Sequence, residues 1–443
     1  MRGEPEGFRA GPASQQGMRR ANLALVLGVI ARAPRSRAEV ATGTGLTRAA
    51  VSSLAEQLIA AGLVVEEGPS APSGKVGRPG TALGLNPDGP GGLGAEIGVR
   101  HLGACVVDLR GEIRAWRREE AANAGRPPGA VLADLAALLR ATVAEAGLAP
   151  AGLTLAVPGL VDAGGVLQRA ANLGWADVPL AAELRAALRA GEDDGGRGGR
   201  SPEASAAVAA AADGPRAGEP PPTRGASHGG LAELPIEVDN EANLGGLAER
   251  WLGEGPEDFL YVSAEAGVGA AIVVGGRLLR GARGYAGELG HVPVHPDGPR
   301  CACGARGCLE QYAGGAAVLR AAHLTETRGD WAALVADRAA AGDAAAREAL
   351  ARAGRALGTA AAGAVNLLDP AEIVLGGGYA RPAPWMLPAM HAELAARVTV
   401  RPWSDDRLTV SHLGRRGPLL GAAVGVVRAI IADPGALAAP AST

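Results

Sequence analysis

The chain has 443 residues, enough for two to four domains, and 47% of them are apolar, so a sizeable core is within reach. Net charge is −3 but unevenly spread: residues 1–85 hold ten Lys/Arg against six Asp/Glu, a net of +4, and the rest nets −7. A basic front on an acidic body suits a front end that meets an anion, and no uninterrupted apolar run is long enough to span a bilayer. Residues 1–17 are polar and rich in Gly and Pro and read as a disordered tail. They lack the apolar run of a signal peptide, so a cytoplasmic protein without a membrane partner is expected. From Met18 a helical pattern runs through "ANLALVLGVIARA". The stretch "SRAEVATGTGLTRAAVSSLAEQLIAAGLVVEEG" predicts two helices split by a turn at Gly43–Gly45, with Thr47 as N-cap of the second. Val40, Leu46, Val51, Leu54 and Leu58 keep the spacing of a helix-turn-helix. "LVVEE" and "TALGLN" read as strands flanking the loop "GPSAPSGKVGRPG", which makes residues 18–86 a winged helix-turn-helix.

From about Gly92 strands and helices alternate, the pattern of an α/β body over residues 87–443. "LGAEIGVRHLGACVVDLRGEI" reads as a strand hairpin, "VLADLAALLRATVAEAG" as an amphipathic helix and "LTLAVPGLV" as a buried strand. "FLYVSA" and "GAAIVVGG" are strand-like, and an Ala-rich helical region at about 331–365 leads into "AEIVLGG". Between about Gly191 and Gly230 Gly, Pro, Ala, Ser and charge dominate, which predicts a disordered surface insertion.

Three of the four cysteines, Cys301, Cys303 and Cys308, fall within "CACGARGCLE". In the cytoplasm clustered cysteines serve as metal ligands or catalytic thiols more often than as disulfides. Nine residues separate His291 from Cys301. One imidazole and three thiolates make the closed tetrahedral set that structural Zn2+ takes, and Gly304 and Gly307 let the loop turn tightly. The bland alternative is buried thiols or a redox pair; CxCGxxGC with an upstream histidine favours zinc. His295 is a rival ligand, and Cys105, alone in a strand, reads as a core residue.

"GARGYAGELGH" followed by "CACGARGCLE" resembles the signature of the ROK family (repressor, open reading frame, kinase), which unites bacterial sugar kinases with sugar-responsive repressors. "VPGLVD", "NLGW", "VDNEANLGGLAE" and "NLLDPAEIVLGGG" stand in the family's order, so the resemblance covers nearly the whole chain from Met18 apart from the insertion. It implies a two-lobed actin-like ATPase fold, ROK sugar kinase-like, with sugar in the cleft. It further implies that zinc shapes the sugar pocket, that His291 both ligates zinc and touches sugar, and that Asn240, Glu241, Glu288 and Glu310 line the same pocket. Sugar hydroxyls are donors, and carboxylates and amides receive them.

The family's kinases carry a catalytic aspartate in N-D-x-N; here "NEAN" puts Glu241 there, one methylene further out, as a vestigial base. Such a displacement of about 1 Å costs roughly a hundredfold in rate. Their D-x-G-G-T phosphate loop is matched by "EIGVRH", Glu96 to His101, and the second loop, "SAEAGVGA", keeps only Gly267 and Gly269. Efficient catalysis and ATP binding are therefore not expected. The family's repressors, unlike typical kinases, begin with a winged helix-turn-helix. Its second helix would enter the major groove of double-stranded operator DNA through Thr47, Arg48, Ala49, Ser52 and Ser53. Arg48 suits either a guanine edge or a phosphate, and Lys75 and Arg78 lie in the wing, where Arg78 suits the minor groove. The expected protein is a homodimeric or tetrameric repressor released by a sugar or sugar phosphate. Xylose, glucose and N-acetylglucosamine all stay open, although "NEAN" resembles the xylose-repressor branch. The alternatives are an active ATP-dependent sugar kinase that carries a DNA-binding domain, and a DNA-binding protein with an unliganded body.

Overall fold

Short helices with an apolar residue every third or fourth position build the front of the molecule, and alternating strands build the rest. The computed structural model describes residues 15–69, 81–197, 230–253, 255–325 and 330–438. The front unit comprises α1 (Gln15–Ile30), β1 (Arg35–Ser36), α2 (Arg37–Thr44), α3 (Arg48–Ala60), β2 (Val64–Pro69) and β3 (Thr81–Leu85). Ser36 and Glu39 close a capping box on α2, which ends at Gly45 with φ 73°. Thr47 caps α3 by accepting from the Ala50 N–H at 3.2 Å. The strands pair in the order β1-β3-β2, completing a winged helix. One boundary shifts, and two predicted DNA contacts lie beyond description. The helix α1 begins at Gln15, so the last three residues assigned to the tail are helical, and Lys75 and Arg78 lie outside the described residues.

The first lobe contains β4 (Gly91–Ile97), β5 (His101–Val107), β6 (Ile113–Glu120), α4 (Pro128–Ala146), β7 (Pro150–Val157), a small sheet of β8 (Leu160–Val161), β9 (Leu167–Ala170) and β10 (Trp175–Val178), then α5 (Leu180–Arg197), β11 (Ile236–Asn240) and α6 (Glu241–Leu252). The hairpin read from sequence thus gains a third strand, β6. The helix α5 runs to Arg197, past the Gly191 edge of the stretch read as disordered, and residues 198–229 are outside the described part. The second lobe contains β12 (Phe259–Ala264), β13 (Val268–Val274), β14 (Arg277–Leu278), α7 (Glu310–Ala313), α8 (Gly315–Ala321), α9 (Trp331–Ala340), α10 (Ala344–Leu368), β15 (Glu372–Gly377), α11 (Ala383–Arg397) and β16 (Leu408–Val410). The Ala-rich region is two helices, because Gly342, at φ 92°, and the Asp343 cap break it. The chain closes with α12 (Gly417–Ala432) and α13 (Gly435–Ala438).

Both lobes use one topology. In the order β11-β7-β4-β5-β6, β4 pairs antiparallel with β5 and parallel with β7; in β14-β13-β12-β15-β16, β12 pairs antiparallel with β13 and parallel with β15. Strand alternation assigns the faces: Leu260 and Val262 join the core under α10, while Phe259 and Tyr261 face the other way, towards α6. The helices α6 and α12 pack together between the sheets, α6 on β12 and β13, α12 on β4, β5 and β7. The close fit of α12 needs Gly92 and Gly94, where a Cβ would strike the backbone at Ala423 and Leu419. Cys105, on β5, is fully buried, and burial pushes its thiol up to about 12, as suits a core residue.

Candidate functional site

Residues 288–310 fold as a loop with one 3-10 turn at Leu289–His291, and it gathers the four predicted metal ligands. The ligand atoms of His291, Cys301, Cys303 and Cys308 all lie within 4.8 Å of one another. Cys303 Sγ is 3.7 Å from Cys308 Sγ, and Cys301 Sγ is 3.8 Å from His291 Nδ1. A tetrahedron with bonds of about 2.3 Å has edges of roughly 3.8 Å, so the spacing fits zinc. Gly304 and Gly307 have φ of 101° and 67°, and a Cβ on Gly307 would collide with the His295 carbonyl. His295 is not among the four; its ring lies 5.4 Å from that of Tyr312. Burial, and then Cys303 and Cys301, push the Cys308 thiol up to about 12. A divalent cation amid these thiols would reverse that, because coordinated thiols lose their protons.

The Nδ1 of His291 faces the sulfurs, and its Nε2 lies 3.8 Å from Glu288 Oε2. That edge belongs to a cleft with a volume of about 140 Å³ between the lobes. All five residues assigned to sugar line it: Asn240, Glu241, Glu288, His291 and Glu310. Asn240 caps α6, accepting from Ala242 N at 2.7 Å, and donates to the Gly159 carbonyl at 2.8 Å. One of its amide hydrogens is left for a ligand. Glu310 accepts from Val268 N at 3.3 Å and lies over Gly267, where a Cβ would clash with its carboxylate. The Gly267 retained in the second loop thus makes room for Glu310. Two neighbours were not singled out from sequence, although both sit near or in the quoted "NLGW": Asn172 lines the cleft, and Arg169 donates to the Ala302 carbonyl at 2.9 Å. Arg280 reaches Asp239 at 2.6 Å, a second bond across the lobes.

The stretches matched to phosphate loops hold protein charges instead. The His101 ring folds over the Gly98 turn, where even a Cβ would strike it, and His101 Nε2 lies 3.0 Å from Glu96 Oε1. Arg118 Nη2 is 3.3 Å from His101 Nδ1. Opposite, Arg415 donates from Nε to Glu265 at 3.0 Å and approaches Asp330 Oδ1 at 2.9 Å. Burial alone would raise the Glu96 carboxyl, but His101, Arg118 and Arg415 outweigh it and hold it below the usual value. Burial raises Glu265, against the pull of Arg415.

Beside this network, burial and then Glu265 and Glu96 push the Glu241 carboxyl up to about 8. Its unfolded value is about 4.3, so between these limits the native state holds a proton that the unfolded chain releases. The native state therefore loses stability as pH rises from about 4.3 through about 8, and the loss is complete above that. Glu241→Gln removes the ionisation, so the variant should melt above the parent at pH 8.5 and with it at pH 5. Melting scans at the two pH values check this.

On the front unit, Thr47, Arg48, Ala49 and Ser53 are exposed and Ser52 is half-buried, while Val51, Leu54, Ala55 and Leu58 are buried. The exposed face also carries Glu56, one turn beyond Ser52.

Residues 231–428 match the ROK family and residues 17–75 the MarR family. The chain carries a ROK family domain behind a MarR-type winged helix. A "Xylose repressor" of Bacillus subtilis (strain 168) is 25% identical to this chain over 414 residues, 92% of this chain and 95% of the relative. A "Glucokinase" of Halalkalibacterium halodurans is 28% identical over 288 residues, 61% of this chain and 74% of that one. A solved "ROK family transcriptional regulator, homolog of E.coli MLC protein" superposes with TM-score 0.69 at 22% identity, covering 94% of this chain and 97% of that one. The shared fold is a winged helix followed by a two-lobed actin-like kinase body. Among the described residues no helix is long and apolar enough to cross a membrane.

Proposed function

We propose that this ROK protein is a sugar-responsive transcriptional repressor, and that its kinase-like cleft senses sugar without phosphorylating it. The observation that carries this reading is the joining of a winged helix to a cleft whose phosphate side is filled by the protein's own ion pairs. Likeness to xylose repressors over nine-tenths of the chain supports it. In this reading Glu288, Glu310 and Glu241 accept from sugar hydroxyls, while the His291 Nε2–H and the free amide hydrogen of Asn240 donate to sugar oxygens. Zinc, held by His291, Cys301, Cys303 and Cys308, fixes the loop that presents them; it supplies a structural staple and no electrophile.

Sugar would draw the lobes together, and the paired winged helices of a dimer would change spacing, so DNA affinity falls by the difference in sugar affinity between the two states. Two-fold symmetry sets operator half-sites one or more helical turns apart. The DNA reader spans residues 15–86 and the body 87–443, in the cytoplasm. Thr47, Arg48, Ala49, Ser52 and Ser53, with Lys75 and Arg78 of the wing, face the operator.

Fluorescence anisotropy on DNA from upstream of the protein's own gene, at fixed salt, tests the reading. Titration of xylose, glucose, N-acetylglucosamine and their phosphates should find one that releases the complex. Absence of specific binding under all conditions would refute the reading. Arg48→Ala should weaken operator binding by about 1–3 kcal/mol if it reads a guanine, and competition with nonspecific DNA should show a matching loss of discrimination. A uniform loss on both DNAs would assign Arg48 to phosphate. The glucokinase relative favours one competing reading, an active kinase, and coupled ATP turnover on the same sugars would reveal it.

A further inference from the structure

A second cavity is larger than the sugar cleft. It is an open groove of about 640 Å³ behind the zinc loop, walled by α7, α8, α10 and α11. Four arginines line it, Arg320 on α8, Arg352 and Arg355 on α10 and Arg397 on α11, against one carboxylate, Glu393. Arg397 and Thr359 both turn to Glu393, at 2.6 and 3.4 Å, and Arg355 pairs with Glu348 at 2.6 Å. Arg320 and Arg352 have no carboxylate within ion-pair distance among the described residues.

Like charges gathered in a concave surface repel one another and focus a positive field outward. Nothing in the fold requires this, since Arg352 is exposed on a helix whose buried face is Ala and Leu. A bound dianion would relieve the repulsion, and guanidinium forks match phosphate oxygens two at a time. The volume exceeds what free phosphate fills and falls in the range of small-molecule sites. Tyr312 and Thr359 add neutral partners for hydroxyls. We propose that this groove is a second ligand site, separate from the sugar cleft, that binds the phosphate monoester of a small metabolite.

Its position gives it a consequence. The single-turn helix α7 places Glu310 in the sugar cleft and the next two residues, Gln311 and Tyr312, in the arginine groove. An anion held against that turn would therefore bias the sugar site, and by linkage sugar would bias the anion equally. This coupling rests on the sugar-responsive reading above; the groove's binding of phosphate does not.

Isothermal titration of the full-length, zinc-loaded protein at constant ionic strength tests the site, with glucose 6-phosphate, inorganic phosphate and glucose as probes. Glucose 6-phosphate should bind, weaken as salt is raised, and lose at least tenfold in affinity in Arg320→Gln/Arg352→Gln. Glu310→Gln should leave that affinity within about twofold. Inorganic phosphate binding as tightly as the sugar phosphate would name free phosphate as the occupant of the same site. No binding of either phosphate, or equal binding by the double variant, would overturn the proposal. Loss of binding in Glu310→Gln would overturn it too, by placing the ligand in the cleft. So would conversion of an oligomer to monomers by the double variant, which would make the groove an interface between copies. Loss of sugar release from DNA with phosphate binding intact would count against the repressor reading alone.

Discussion

Cys308→Ser should yield a protein that carries no stoichiometric zinc, melts early and no longer responds to sugar. Cys308 is fully buried, and its Sγ is one of the four donors that lie within 4.8 Å of one another. Loss of a structural metal belongs with the largest single-residue effects, about 4 kcal/mol or more, which in a chain of 443 residues lowers Tm by roughly 4 °C or more. The sugar response should fail with it, because His291 turns Nδ1 to the cysteine sulfurs and Nε2 to Glu288 in the cleft. Metal content by atomic emission, a melting scan and sugar release of DNA check the three effects on one sample. Cys105→Ala serves as the control: it also disturbs a core, yet should keep one zinc per chain. Full sugar response from a chelated, metal-free sample would refute the role given to the loop.

Arg415→Ala should be comparably damaging although Arg415 touches neither sugar nor metal. Its guanidinium serves Glu265 and Asp330 together, and its own side chain is only 26% exposed. Removing one partner of a buried pair leaves uncompensated charge and costs about 3–5 kcal/mol. Burial already raises Glu265, and without Arg415 it rises further. A carboxyl with a raised native pKa favours folding where it is protonated, so the deficit of Arg415→Ala should shrink towards pH 5 and be full above neutrality. The double variant Glu265→Gln/Arg415→Met removes both charges and should recover most of the loss. Denaturant melts at pH 5 and pH 8 give both comparisons. A cost below about 1 kcal/mol at pH 8 would mean that solvent, rather than burial, governs the pair.

The contrast between these two sites shows what the sequence could and could not tell. The Cys3His cluster was legible because three of its four members sit within eight residues at a spacing that suits a metal ion. The front helices were legible because Val40, Val51, Leu54 and Leu58 repeat at the helical period and the Gly43–Gly45 turn and Thr47 mark ends, whereas the Ser36 capping box went unread. The five cleft residues came from the resemblance, through fixed offsets from "GELGH", "NEAN" and the last cysteine. The ion network had no such signature. Arg415 meets Glu265 across 150 positions, and "GRRGP" has neither period nor motif. Loss of glycines in "EIGVRH" hinted that phosphate was unwelcome, but only the fold shows His101 lying over Gly98. The arginine groove was hidden for the same reason: its residues come from four helices that tertiary packing alone assembles.

The apolar interior of the winged helix does not stop at its own boundary. Leu23, Val26, Leu27 and Leu58 share one cluster with Leu419, Ala423 and Val427 of α12 and with Val107 and Leu109 of the first lobe. An ion pair of Arg20 with Asp433 closes the seam. The DNA reader is thus grafted onto α12 and is not strung on a tether. Cutting after residue 86 would bare an oily face on both pieces, so neither should survive as a soluble fragment. A chimaera that swaps only the front unit onto another ROK body would inherit a mismatched seam. Operator choice in such a protein can evolve freely on the exposed face of α3, whereas changes at the residues that share the seam also disturb the body's core.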